Sequence, residues 1–232
     1  MKHNTICHYY ISKEELNITM KERVQKIISI AIQKKGNALI ALSGGNTPKP
    51  FFELLSKTDL AWENVYITLV DERWVDTKDS NSNEYLIRNS LMQNKATEAK
   101  FIGLKNDEET AIKGLASCKQ KLNKHDDDFD LVLLGMGEDG HTASFFPNAK
   151  ELSSALLSKE DCVALTPPKA PYERMTLTLF RLFRSENIFL HIEGKKKLEV
   201  LNEAFKERSV EQMPIRAFIN KDQKPYLEVF HA

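Results

Sequence analysis

ALIALSGGNTP, residues 38–48, carries an apolar run of strand length into two glycines and then into a proline suited to the first turn of a helix. A strand that ends in a glycine turn and gives way to a helix is the unit from which parallel sheets are assembled. The pattern recurs along the chain. VYITLV (65–70) leads into DERWVDTKDSNSNEY, and FDLVLLGM (129–136) leads into GEDGHTASFFP. Further strand-length runs are DCVALT (161–166), RMTLTL (174–179) and NIFLHI (187–192). Between the runs lie segments of helical spacing at 14–34, 48–57, 82–93, 108–123 and 195–206. In the first of these, Leu16, Met20, Val24, Ile27, Ile28 and Ala31 fall on one face. Strands rich in Val, Ile and Leu, separated by helices, predict an α/β fold with a mostly parallel sheet covered on both faces. No repeat, low-complexity tract or linker interrupts the pattern, so residues 1–232 read as one domain. The tail from Pro214 to Ala232, with IRAFIN and YLEVFHA, reads as a short strand or hairpin completing the sheet edge.

Bulk properties narrow the function classes. Lys plus Arg and Asp plus Glu both number 33, so no net field draws in nucleic acid or an anionic membrane, and an anionic ligand must be held by local groups. No stretch approaches the ~20 apolar residues that span a bilayer, and the start MKHNTICHYYISKEELN lacks the apolar run of a signal peptide. These features lead us to expect a soluble, cytoplasmic protein. Cys7, Cys118 and Cys162 form neither a disulfide framework nor a metal-binding pattern, and no metal site is expected.

In sheets of this kind, ligands sit beyond the carboxyl ends of the strands, which makes the three loops the informative places. Ser43, Gly44, Gly45, Asn46 and Thr47 offer free N–H groups, hydroxyls and an amide at a strand-to-helix turn, a ready phosphate site. It is not a Walker A loop, because no Gly-Lys-Ser/Thr follows. DERW places Asp71, Glu72 and Arg73 at a strand end. GEDGHTASFFP sets His141 after a flexible turn. Its glycines Gly135, Gly137 and Gly140 also satisfy a dinucleotide fingerprint, but that reading needs a helix opening at the third glycine, and Pro147 interrupts one. Arg174, at the start of RMTLTL, and Lys197, three residues after Gly194, are the cations placed to complete a phosphate site. Lys195 and Lys196 read as a solvated face, with contact to a ligand left open.

The ordered set SGGNTP, VDERWV with SNSNEYLIRNSL, LVLLGMGEDGHTASFFP, RMTLTL and EGKKK resembles the 6-phosphogluconolactonase family over almost the whole chain. The resemblance implies a three-layer α/β sandwich with a Rossmann-like, NagB/RpiA/CoA transferase-like sheet. It also implies hydrolysis of 6-phospho-D-glucono-1,5-lactone to 6-phospho-D-gluconate in the oxidative pentose phosphate pathway, with no cofactor. The related glucosamine-6-phosphate deaminases follow Asp-Gly-His with Ile-Ala-Phe-Asn-Glu, whereas this chain carries Thr142, Ala143, Ser144, Phe145 and Phe146. The deaminase relay therefore lacks its carboxylate. A non-enzymatic sugar-phosphate sensor is a further alternative, although the chain has no spare basic segment for DNA binding.

The chemistry of lactone hydrolysis assigns the roles. The reaction requires a positioned water, a base and donors for the developing oxyanion. Histidine, ordinarily titrating near pH 6.5, is the residue type able to take and return that proton near neutrality, so His141 is assigned general base and then acid. Asp139 or Asp71 orients it, Asp139 being preferred. Arg73 supplies a charged donor, and Ser43 to Thr47 hold the phosphate with Arg174 and Lys197. The substrate is the expected small-molecule partner, with no nucleic acid or membrane and a monomer or weak homo-oligomer.

Overall fold

The structure, a computed structural model, describes residues 4–206, 208–219 and 224–232. In chain order it runs β1 (Ile6–Tyr9), α1 (Lys13–Lys35), β2 (Ala38–Leu42), α2 (Lys49–Leu55), β3 (Val65–Leu69), β4 (Asp71–Arg73), α3 (Asn83–Ser90), β5 (Lys100–Ile102) and α4 (Ala111–Leu122). It continues with β6 (Leu131–Leu134), α5 (Leu152–Leu157), β7 (Cys162–Leu165), β8 (Arg174–Leu177), α6 (Leu179–Phe183), β9 (Ile188–Ile192), α7 (Lys195–Ala204), α8 (Arg216–Ile219) and β10 (Leu227–His231). Among the described residues, seven strands form one parallel sheet in the order β1-β10-β9-β6-β2-β3-β5. Helices flank it, as an α/β sandwich requires.

Local sequence accounts for the elements that matter to the site. All five residues of β2 and all four of β6 are buried, the mark of strands covered on both faces. Helix α1 begins at Ser12, whose hydroxyl accepts the Glu15 N–H at 3.1 Å, and stops at Gly36, which adopts a left-handed φ of 84°. Its face of Leu16, Met20, Val24 and Ile28 is fully buried, each such side chain contributing ~1.5–3 kcal/mol by leaving water.

Three expectations are corrected. DCVALT and RMTLTL do form strands, but β7 and β8 pair antiparallel in a separate sheet of order β4-β8-β7. The short link from Thr166 to Glu173 explains it, since parallel neighbours need a crossover of about a dozen residues or more. In the tail, YLEVFHA forms β10 inside the main sheet, between β9 and β1, and Arg216–Ile219 of IRAFIN is helical, with Asn220 outside the described residues. The edge is taken instead by β1, from the amino-terminal ICHY. FDLVLLGM contributes a strand only over Leu131–Leu134, although Phe129 bridges Ser185 in the same parallel register that β6 keeps with β9.

Candidate active site

The carboxyl ends of β2, β6 and β9, together with β4 and β8, enclose a cavity of about 350 Å3. The three loops singled out above all reach it, and β8, the end of β9 and the start of α7 complete the lining.

The loop after β2 folds tightly because of its two glycines. Gly45 has φ 95°, a conformation that disfavours any side chain, and Gly44 lies so close to α3 that a Cβ there would stand 1.9 Å from Asn83 Oδ1. The turn brings Ser43, Gly44, Gly45 and Thr47 to the cavity. Asn46 is the exception. It is exposed and lines a neighbouring groove between α1 and α2, because the left-handed bend at Gly45 carries it around the outside of the turn.

The loop after β6 is stapled to itself. Gly137 N–H donates to the His141 carbonyl at 2.8 Å, and the Thr142 hydroxyl donates to the Gly135 carbonyl at 2.8 Å. Ala143 holds φ 48°, unusual for a residue with a side chain. His141 Nδ1–H donates to Asp139 Oδ1 at 2.5 Å, and the same oxygen accepts the His141 backbone N–H at 3.1 Å. With Nδ1 committed to a carboxylate, Nε2 is the nitrogen left for a ligand. Half-burial pushes the Asp139 carboxyl up, but the hydrogen bonds and charge of His141 outweigh it and hold it below its ordinary value. The imidazole rests on Phe146, with ring centroids 4.3 Å apart, and against Gly137, where a Cβ would stand 2.1 Å from Nδ1. No helix opens at Gly140: the first helix after β6 starts at Leu152, so the backbone of a dinucleotide turn is missing.

The third wall joins β4 to β8. Asp71 is buried, with Oδ2 accepting the Ser144 hydroxyl at 2.5 Å and its carbonyl accepting Asn83 Nδ2–H at 2.8 Å. Asp139, not Asp71, is therefore the carboxylate bonded to His141. Arg73 pairs in register with Arg174, and its Nη1 donates to the Asn81 carbonyl at 2.7 Å. Arg174 is only 5% exposed, its Nη1 donating to the Tyr172 carbonyl at 3.1 Å, and burial lowers its pKa while Asp71 opposes the shift.

From the far side, Lys197 reaches in from the start of α7 and donates to the Met136 carbonyl at 2.7 Å. Burial lowers its pKa, with Glu138 and Asp139 opposing the shift. Lys196 is engaged by Glu138, and Lys195 is exposed beside Glu199; neither lines the cavity.

The cavity thus gathers Ser43, Gly44, Gly45, Thr47, Asp71, Arg73, His141, Arg174 and Lys197, with Asp139 behind the histidine. Sequence reasoning missed Asn83 and His191, both of which line it. Asn83 opens a helix and carries no local signal of its own. His191 is the penultimate residue of β9, in NIFLHI, and the rule that ligands meet strand ends could have found it. Among the described residues, no group of three or more His, Cys, Asp or Glu side chains is arranged to hold a metal ion. No described helix is long and apolar enough to cross a membrane.

The chain is similar to known proteins over nearly its whole length. The family profile described as glucosamine-6-phosphate isomerases/6-phosphogluconolactonase matches residues 11–227. The chain is 36% identical to 6-phosphogluconolactonase of Rhizobium meliloti, covering 97% of each protein. It is 37% identical to that of Helicobacter pylori strain 26695, covering 92% of each. A crystal structure of a 6-phosphogluconolactonase from Shewanella baltica superposes with a TM-score of 0.96 at 39% identity, covering 98% of this chain and 97% of the other. A monomeric glucosamine-6-phosphate deaminase shares the fold at a TM-score of 0.80 and 18% identity, covering 97% of this chain and 96% of the other.

Proposed function

The chain belongs to the glucosamine-6-phosphate isomerase/6-phosphogluconolactonase family, and from that premise we propose that it hydrolyses 6-phospho-D-glucono-1,5-lactone to 6-phospho-D-gluconate using water activated by His141. The observation that carries the reading is the Asp139–His141 pair, which leaves one imidazole nitrogen facing a cavity with cations on two sides.

In this reading the phosphate rests on the Ser43 to Thr47 turn, between Arg174 and Lys197. Asn46 contributes through the turn's backbone, since its side chain lies outside the cavity. Binding energy from this remote group holds the lactone carbonyl beside His141. Nε2 takes a proton from water as the water oxygen bonds to the carbonyl carbon. The C=O electron pair moves onto its oxygen, where Arg73 is the charged donor. The tetrahedral species collapses with cleavage of the bond to the ring oxygen, which leaves with the proton from His141. Asp139 stabilises the imidazolium between the two transfers and keeps Nδ1 protonated. Asp71, with Asn83 beside it, accepts from sugar hydroxyls. No covalent enzyme intermediate is required, because an ester of this ring size is already activated.

The alternative within the family, release of ammonia from glucosamine 6-phosphate, is disfavoured by one contact. The position at which deaminases carry the glutamate of their relay is here Phe146, whose ring packs on His141. The experiment is a direct comparison of acid release from freshly generated 6-phosphogluconolactone, above the spontaneous rate, with ammonia release from glucosamine 6-phosphate. We expect acceleration of the first only. Ammonia release without lactone hydrolysis would replace this function with the deaminase one.

A further inference from the structure

Glu72 differs from its neighbours in DERW. Asp71 and Arg73 line the cavity, whereas Glu72, between them on β4, is fully buried on the other side of the strand. Its carboxylate accepts four hydrogen bonds. Oε1 takes the backbone N–H groups of Arg73 and Asn83, both at 2.7 Å. Oε2 takes the Glu84 N–H at 2.8 Å and the Ser82 hydroxyl at 2.9 Å. The Ser82 oxygen accepts the Tyr85 N–H at 3.1 Å, so its proton is committed to Glu72. Burial pushes the Glu72 carboxyl above its ordinary range, and the four bonds work the other way.

These bonds fasten the strand of Asp71 and Arg73 to the start of α3. What they fasten is the cavity wall. Arg73 is held by its own N–H. Asn83 is held by its N–H while its side chain bonds the Asp71 carbonyl and occupies the space where a Cβ on Gly44 would stand. One buried side chain therefore stands behind the arginine, the aspartate and the glycine turn.

We propose that Glu72 is a positioning residue for lactone hydrolysis, its carboxylate setting the spacing between Arg73, Asn83 and the glycine turn that substrate must span. The proposal rests on the lactonase reading above. Glu72 touches neither the lactone nor the attacking water; it acts through groups that do. A purely structural role, capping α3 and closing the loop from Trp74 to Asn81, would lower stability and leave the kinetics of the folded protein alone.

The test uses Glu72→Gln, Arg73→Ala and the double variant, with three readouts: lactone hydrolysis corrected for the spontaneous rate, the Kd of 6-phosphogluconate, and Tm. Glutamine keeps the shape but turns an NH2 group toward two donors. We expect folded Glu72→Gln to show a lowered Tm, with KM and Kd raised ~10- to 100-fold, the effect of losing hydrogen bonds to a charged group, and kcat lowered as well, because Arg73 is the donor to the developing oxyanion. In the Arg73→Ala background the same substitution should cost much less than in wild type, because the arginine it positions is gone. Folded Glu72→Gln with wild-type KM and Kd, whatever its Tm, overturns the proposal, as do losses that simply multiply. If Glu72→Gln fails to fold, Ser82→Ala removes one donor of the four and should raise the Kd ~2- to 10-fold; an unchanged Kd overturns the proposal. Wild-type protein that does not accelerate lactone hydrolysis would bring down the lactonase reading itself, and this one with it, before any substitution is made.

Discussion

On one side of the cavity His141 is held by residues close to it in sequence: Asp139, Gly137, Phe146 and, through Thr142, Gly135. On the other side Asp71 and Arg73 are held by residues of other elements: Asn83 of α3 and, much further along the chain, Ser144 for the aspartate, with Arg174 and Thr176 through the β4–β8 ladder. The first arrangement is a turn that carries its own restraints, so its chemistry can be altered while the sheet beneath stays intact. The second exists only when distant segments have met, so its binding function and the stability of the fold share the same bonds. Substitutions in the histidine loop should therefore remove turnover at nearly constant stability. Substitutions in the far wall should remove ligand affinity and stability together.

The largest expected effect comes from Gly137→Ala. The new Cβ would stand 2.1 Å from His141 Nδ1 and 2.6 Å from Asp139 Oδ1, so the imidazole must move. A displacement of this kind should cost ~10²-fold or more in kcat. Affinity for 6-phosphogluconate and Tm should stay near wild type, as measured by steady-state kinetics, calorimetric titration and thermal unfolding. A variant that loses affinity and stability in step would erase the contrast between the two walls.

Next come the cations. Arg174→Ala and Lys197→Ala should each weaken 6-phosphogluconate ~10- to 100-fold and leave unphosphorylated gluconate binding nearly unchanged, since each removes a charge-assisted bond to the remote group. The pair also sharpens the comparison. Arg174, buried in the far wall, should lose Tm as well, and half-buried Lys197 should not. Equal losses for both ligands would move these residues away from the phosphate.

Gly44→Ala follows. Its Cβ would meet Asn83 Oδ1 at 1.9 Å, an overpacking expected to cost ~1–3 kcal/mol of stability together with weaker 6-phosphogluconate binding. Denaturant unfolding checks it, and unchanged stability would show that the glycine turn and α3 are not mutually braced.

Asp139→Asn has the smallest effect on stability. The folded-state pKa of Asp139 is depressed, so its contribution is present above the ordinary aspartate value of about 3.9 and is lost as pH falls through the lower folded value. Because the side chain is 52% exposed, solvent screening keeps the contribution below ~1 kcal/mol. Asp139→Asn should lie slightly below wild type at neutral pH and converge with it in strong acid. A gap that widens in acid would reverse the sign.

The same distinction explains how much could be read from the chain itself. SGGNTP and GEDGHTASFFP announce themselves because glycines, a proline and an isolated histidine form a turn grammar that acts over a few residues. The far wall has no such grammar. Asp71–Arg73 is a polar three-residue strand whose partner lies a hundred residues away, and Asn83 enters the site only because Glu72 and Gly44 hold it there. The short strands β1 and β5 were missed for a related reason, since three or four residues of mixed polarity define no period until a neighbour supplies the ladder. Asn46 belongs to the same glycine turn, and its exposed side chain lines the neighbouring groove beyond the left-handed bend at Gly45, a placement that depends on backbone conformation and not on residue type.

The proposed reaction depends on one division of labour, with His141 activating water while the glycine turn, Arg174 and Lys197 bind the sugar phosphate. It is tested most directly by measuring kcat of His141→Ala on freshly generated 6-phosphogluconolactone alongside the Kd of the same variant for 6-phosphogluconate. In this variant kcat should be lower by ~10² to 10⁴-fold, with the Kd near its wild-type value. Near-normal turnover in the folded variant would contradict it.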